Sequence, residues 1–196
     1  MAEKLFISAQ QLLEDSFALG LDILDSGFRP DFIVGVWRGG TPVGIAVQEL
    51  LDYFGVETDH ISIRTSSYEG IGSRSERIRV HGLGYVVKNV NAHNALLIVD
   101  DVWDTGLSVE AVIRHLRAES RRNTPADIRI ATAYYKPNSN RTELKPDYYV
   151  HETDQWLVFP HELDGLTANE IIEGKGDIGP RLAQRIRARQ TDLAND

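Results

Sequence analysis

The sequence predicts an α/β protein with a central, mainly parallel sheet flanked by helices. Three observations carry that expectation. Residues 31–37 and 95–99 are apolar runs of strand length, and each leads through a glycine-bearing turn into a segment with helical spacing of apolar residues. The run 95–99 has no polar break, the pattern of a strand covered on both faces. A third run, 128–135, follows the second of these units, and repeated β–α units build a parallel sheet.

Taken in order, Ser8 and Gln11 stand in capping-box spacing ahead of Leu12, Leu13, Phe17, Leu21 and Leu24, which predicts a helix over 8–26. The strand at 31–37 runs into Arg38, Gly39 and Gly40, after which Thr41 reads as an N-cap with Pro42 at the first helical position. A second strand is expected over 59–64. The stretch 65–80 is rich in Ser, Gly, Arg and Glu without sustained periodicity, and reads as a mobile loop. The strand at 95–99 ends in acids, and a helix begins near Ser108 with Val109, Val112, Ile113 and Leu116 on one side. After the strand at 128–135, Pro137, Asn138, Ser139 and Asn140 mark a turn, 148–150 a strand, and 156–160 a short extended piece. Residues 181–189 read as a short amphipathic helix with Leu182 and Ile186 turned inward. Arg181, Arg185, Arg187 and Arg189 then form its solvated face or, as a second choice, an oligomer contact. No internal repeat or low-complexity tract is present.

The 196 residues carry 21 Lys+Arg against 29 Asp+Glu, a formal charge of −8, so the average field repels nucleic acid and anionic lipid surfaces. The absence of cysteine excludes a disulfide framework, a thiolate metal site and a cysteine nucleophile. The acid-bearing N-terminus lacks a signal-peptide core and no stretch approaches 18 consecutive apolar residues, so a cytoplasmic protein is expected. The six histidines show no ligand spacing, and none is assigned to a metal.

In a parallel α/β sheet, ligands collect at the carboxyl ends of strands, where helix N-termini attract anions. Asp100 and Asp101, directly after a buried strand, offer hard oxygen acceptors for a vicinal diol or a hydrated magnesium ion. The turn Asp104, Thr105, Gly106, Leu107 and Ser108 offers backbone N–H groups, two hydroxyls and a close-approach glycine, a phosphate cradle. Diol and phosphate in one loop point to a ribose 5-phosphate. The bland alternative is that Asp104 or Thr105 only caps a helix while the other acids are solvated. No Walker A or dinucleotide fingerprint is present.

The segment 97–108 resembles the phosphoribosyl-pyrophosphate signature of type I phosphoribosyltransferases: an apolar run, two acids, two variable residues, then Asp-Thr-Gly-x-Ser/Thr. The resemblance covers about residues 30–162. It implies the type I fold with a small hood formed by terminal segments, a core domain at 1–162 that includes a purine-covering segment, and a C-terminal extension at 163–196. It implies that Asp100 and Asp101 bind the ribose hydroxyls and, through water or directly, Mg2+. Residues Asp104 to Ser108 would hold the 5-phosphate, with Asp104 also near the reacting ring nitrogen as the catalytic group. Arg38 and Gly39 correspond to the pyrophosphate loop, where relatives carry a strained or cis peptide, expected at the Arg38–Gly39 bond. An Arg beside two glycines at a helix start suits pyrophosphate on its own terms. Ser67 and Tyr68 match the Ser-Tyr pair of a mobile loop that closes over the reaction.

The resemblance is closest to 6-oxopurine enzymes. Lys136, at the end of a strand and followed by Pro137, matches their base-recognising lysine, a donor to an exocyclic oxygen that repels the amino group of adenine. Arg141 stands one residue farther from Lys136 than the corresponding arginine does in those relatives. The stretch 154–161 looks like the purine-covering segment of xanthine-guanine phosphoribosyltransferase, so that Trp156 stacks on the base and Leu157 offers backbone groups to its edge. The implied activity transfers the ribose 5-phosphate of phosphoribosyl pyrophosphate to hypoxanthine, guanine or xanthine and releases pyrophosphate, in a homodimer or homotetramer. Two alternatives stand beside it: a non-catalytic nucleotide-sensing regulator of the same fold, and a transferase for a pyrimidine or other acceptor.

Overall fold

Ser8 opens the first helix as its spacing predicts: its Oγ accepts the Gln11 amide at 3.0 Å and its carbonyl the Leu12 amide at 3.0 Å. The computed structural model describes residues 4–68 and 77–195. Along the chain these form β1 (Lys4–Phe6), α1 (Ala9–Asp25), β2 (Phe32–Trp37), α2 (Gly40–Tyr53), β3 (Asp59–Tyr68), β4 (Arg77–His81), α3 (Gly84–Asn89), β5 (Ala95–Trp103), α4 (Leu107–Ser120), β6 (Asp127–Tyr135), β7 (Tyr148–Glu152), β8 (Trp156–Val158), α5 (Ala168–Gly174) and α6 (Gly179–Asn195). By contacts the chain divides into Leu13–Asp154 and a terminal unit of Met1–Leu12 with Gln155–Asp196.

In the larger unit six strands run in the order β4-β3-β2-β5-β6-β7, all parallel except the β3–β4 pair. The apolar run of β5 places it at the centre, paired with β2 from Phe32↔Leu96 to Gly35↔Val99 and with β6 from Ala95↔Asp127 onward. Alternate residues of neighbouring strands, Val34, Val36, Ile63, Leu96 and Ile98, pack with Val86 of α3 and with Val112 and Leu116 of α4 in one buried cluster. The α/β class with a mainly parallel sheet is therefore the observed one.

Four details differ from the sequence-based expectation. Where it is described, the stretch 65–80 read as a mobile loop is strand: β3 continues to Tyr68 and β4 pairs back on it from Arg77, with Ser67 opposite Ile78. At a sheet edge only one row needs apolar side chains, here Ile61, Ile63 and Val80, and the polar row between them hides the strand period. Ser67 and Tyr68 thus lie on β3, and the rest of that loop, 69–76, falls outside the described residues. Thr41 is not a cap: α2 begins at Gly40 after Gly39, and the Thr41 hydroxyl meets Ser62 Oγ at 3.2 Å. Strand β5 does not stop at the acids but carries them on to Trp103, because its ladder with β6 continues through Asp100↔Thr132 and Trp103↔Tyr135. The cis peptide is Trp37–Arg38, one bond before the expected position.

The terminal unit joins the two ends of the chain. Strands β1 and β8 pair in parallel, Lys4↔Trp156 to Phe6↔Val158, extended by Ile7 N–H donating to the Val158 carbonyl at 2.9 Å. The extension, expected to hold one short helix, holds two: α5, started by a Thr167–Glu170 capping box, and the longer α6. The segment around Trp156, expected to cover the base, groups with these terminal elements by contacts, whereas the sequence places the boundary at 162/163. Among the described residues no helix is long and apolar enough to cross a membrane.

Candidate active site

The carboxyl ends of β2 and β5 bring Arg38, Gly39 and Gly40 against Asp100 and Asp101. A Cβ on Gly39 would lie inside the Asp101 carboxylate, and one on Gly40 would lie 2.7 Å from Asp100 Cα. Gly39 has φ −70° and ψ −31°, an ordinary conformation for any residue, so glycine is required there by closeness alone. Asp101 is buried, with Oδ1 accepting the Val102 amide at 2.9 Å, while Asp100 Oδ1 accepts the Asp101 amide at 3.0 Å. Burial holds the Asp100 pKa well above the usual carboxylate range; the neighbouring Asp101 charge raises it further, and the Asp101 and Gly40 amides pull it back. The pair therefore favours an arriving cation or a pair of donor hydroxyls.

The turn after β5 wraps toward α4 with Gly106 as its last residue. Its φ of +77° lies in the left-handed region that glycine tolerates, and a Cβ there would meet the Trp103 ring at 2.6 Å and Thr142 Oγ1 at 2.9 Å. The N-cap position of α4 is Gly106, which has no side chain to cap with, and the Thr105 hydroxyl just before it accepts the Leu107 amide at 3.5 Å, the one feature of the bland alternative that the structure shows. The helix opens with Leu107 and Ser108, directly after this turn.

Lys136 follows β6, its amide donating to the Trp103 carbonyl at 2.9 Å and its Nζ lying 3.8 Å from Asp104 Oδ2. The segment beyond it folds back on the same turn. The Arg141 amide donates to the Thr105 carbonyl at 3.0 Å, and the Arg141 side chain is exposed. Asn140 staples this segment, its amide donating to the Leu144 carbonyl at 2.8 Å while its Oδ1 accepts from Thr142 N–H and Thr142 Oγ1, both at 3.1 Å. The residues gathered at this sheet end are thus Arg38, Gly39, Asp100, Asp101, Asp104 to Ser108, and Lys136. Trp156 and Leu157 stand in the terminal unit, Trp156 with 55% of its surface exposed and Leu157 buried. Ser67 and Tyr68 are on β3.

As for a metal, among the described residues no group of three or more His, Cys, Asp or Glu is gathered to hold one. Magnesium is ordinarily held by one or two carboxylates together with substrate oxygens. Asp100 and Asp101 fit that mode, an ion arriving with its ligand.

Residues 9–164 match the phosphoribosyl transferase domain family. The chain belongs to it. The hypoxanthine-guanine phosphoribosyltransferase of Lactococcus lactis is 29% identical over 149 residues, 74% of each chain. The xanthine-guanine phosphoribosyltransferase of Desulfotalea psychrophila is 31% identical over 169 residues, 85% of this chain and 91% of that one. A crystal structure of a purine phosphoribosyltransferase from Pyrococcus horikoshii matches at a TM-score of 0.66 and 29% identity, covering 83% of this chain and 97% of that one. This phosphoribosyltransferase is an enzyme with the type I fold.

Sequence reasoning missed three contributors to this phosphoribosyltransferase site. Gly40 was read as part of a turn, yet its closeness to Asp100 sets the gap between the two loops. Trp103 occupied a variable position of the signature, and nothing in its spacing says that its ring floors Gly106. Thr142 lies 36 positions from Gly106, and only the fold of the 136–144 segment brings it there.

Proposed function

We propose that this phosphoribosyltransferase transfers the ribose 5-phosphate of phosphoribosyl pyrophosphate to N9 of a 6-oxopurine, giving a nucleoside monophosphate and pyrophosphate. The observation that carries the reading is Lys136 Nζ at 3.8 Å from Asp104 Oδ2: a donor suited to an exocyclic oxygen stands beside the acid of the phosphate turn. The names of the relatives, hypoxanthine-guanine, xanthine-guanine and purine phosphoribosyltransferase, support the same class. They differ in base, and the choice among hypoxanthine, guanine and xanthine is left to assay.

In the proposed mechanism the amide groups of residues 104–108 and the Thr105 and Ser108 hydroxyls hold the 5-phosphate. Asp100 and Asp101 accept the ribose hydroxyls. The Arg38 guanidinium and the Gly39 amide bind the departing pyrophosphate as the anomeric carbon becomes oxocarbenium-like. Asp104 accepts or stabilises the purine N–H proton. Lys136 donates to the purine 6-oxygen, Trp156 stacks on the ring and Leu157 offers backbone groups to its edge. Ser67 and Tyr68 belong to the element that covers the reaction. Mg2+, held by Asp100 and Asp101 with the substrate's own oxygens, would supply charge neutralisation for the pyrophosphate. We further propose a cytoplasmic homodimer or homotetramer, with no nucleic-acid or membrane partner.

The test is pyrophosphate release with phosphoribosyl pyrophosphate and magnesium against hypoxanthine, guanine, xanthine, adenine, orotate and uracil. Turnover is expected with 6-oxopurines, falling about 100-fold or more in Asp104→Asn, whose phosphoribosyl-pyrophosphate affinity is retained. Silence across the panel with nucleotide still bound favours the sensing regulator, and unchanged turnover in Asp104→Asn removes that residue's role.

A further inference from the structure

Trp156 leaves 55% of its surface in water, more than a ring kept only for packing would, yet one side of it is not free. The Lys4 ammonium lies over the ring, 5.4 Å from its centroid, and Lys4 is the direct neighbour of Trp156 in the β1–β8 ladder. That ammonium is held in three ways. It pairs with Glu170 Oε1 at 2.8 Å, donates to the Gly165 carbonyl at 3.1 Å, and is mostly shielded from water. Glu170 is itself fixed: its Oε2 accepts Thr167 N–H at 2.7 Å and Thr167 Oγ1 at 2.9 Å in the capping box of α5. The strand that carries the indole is anchored by buried Leu157 and Val158, and the chain just after it by Lys175, whose Nζ donates to the Phe159 carbonyl at 2.7 Å.

A flat ring has two faces. A cation fixed over one face holds the indole in place and leaves the other for a stacking partner. Side chains ordered before binding cost less entropy when the ligand arrives. A lysine free to wander would give little of this, whereas one pinned by a carboxylate that is pinned in turn by a helix cap is pre-organised. We propose that Lys4 and Glu170 are positioning residues for the base subsite, holding Trp156 ready to stack, and that this is what the C-terminal extension contributes to the enzyme. The inference rests on the reading that Trp156 stacks on the base. It assigns that extension a task at residues 165–175, separate from the arginine-bearing face of α6.

The experiment compares full-length wild type with Trp156→Leu, Lys4→Met, Lys4→Arg and Glu170→Gln. KM for the base and KM for phosphoribosyl pyrophosphate are measured separately, and the melting temperature is recorded for each. Lys4→Met is expected to raise KM for the base about two- to fivefold, the equivalent of roughly 0.5–1 kcal/mol for an exposed cation–π contact. KM for phosphoribosyl pyrophosphate should stay unchanged. Glu170→Gln, which frees the ammonium without removing it, should move KM for the base in the same direction, and Lys4→Arg, which keeps cation and ion pair, should restore it. If Trp156→Leu raises KM for the base while Lys4→Met and Glu170→Gln leave it alone, this proposal fails and the stacking role survives. If Trp156→Leu itself changes nothing, the stacking role fails and takes this proposal with it. A loss shared equally between both substrates marks general destabilisation and overturns the positioning role.

Discussion

Replacing Gly39 by alanine isolates the close approach of the two loops. The backbone of Gly39, at φ −70° and ψ −31°, accepts alanine without strain, so the cost in the folded state must come from one methyl group placed on the Asp101 carboxylate, set against the smaller gain, up to about 1 kcal/mol, from a stiffer unfolded chain. Asp101 is 8% exposed, and a carboxylate pushed aside by that methyl group is expected to give up its bond to the Val102 amide at 2.9 Å. Losing that bond costs about 1 kcal/mol, and an off-rotamer carboxylate about 0.5–1.5 kcal/mol. The sum of roughly 1.5–2.5 kcal/mol lowers the melting temperature of a chain of this size by about 3–10 °C. The functional loss follows from aim. A hydrogen bond to a charged group contributes about 1.5–3 kcal/mol, so a displaced Asp101 should lower kcat/KM for phosphoribosyl pyrophosphate about 10- to 150-fold. The assay is steady-state pyrophosphate release with each substrate varied in turn, alongside thermal unfolding. KM for the base should change little. A melting temperature equal to wild type would refute the packing argument. A lowered melting temperature with unaltered phosphoribosyl-pyrophosphate kinetics would refute the role given to Asp101.

Lys136→Met removes the donor proposed for the purine 6-oxygen. It should raise KM for a 6-oxopurine about 10- to 100-fold, by roughly 1.5–3 kcal/mol for a bond to a charged donor, and weaken the rejection of adenine; competition assays between the two bases read both effects. A variant that still rejects adenine as wild type does would remove Lys136 from base selection. The Glu170 carboxyl has its pKa lowered to about 2, by Lys4 first and then by the Thr167 amide and hydroxyl. A carboxyl depressed in the folded state stabilises it above the unfolded value near 4.5 and loses that contribution as pH falls from there toward 2. Amide protection factors in α5, taken relative to the intrinsic exchange rate at each pH, should therefore fall over that acid window in wild type and show a shallower change in Glu170→Gln; identical profiles would sink the linkage.

Much of this enzyme is local in its sequence. The apolar run of β5, its two acids and the Asp-Thr-Gly-x-Ser turn are contiguous, so the residues proposed to hold ribose and phosphate were legible together as one strand end. So was the turn after β2, because an apolar strand running into Arg-Gly-Gly and then a helical pattern marks a strand–turn–helix unit. Ser8 started its helix as written. The hairpin of β3 and β4 was not legible, since an edge pair buries one weak apolar row and its polar row reads as loop. Nor was the reason for glycine at 39: its backbone is ordinary and the constraint is a carboxylate 62 positions away in the chain. The same holds for Lys4 and Glu170, which meet only because two terminal strands pair and a capped helix returns to them. By itself the sequence determined what is carried by neighbours in the chain: periodicity, the signature turn, the kinds of group at each strand end. Tertiary structure alone decided what those groups press against, because burial, close approach and the holding of an exposed ring depend on residues that chain connectivity leaves far apart.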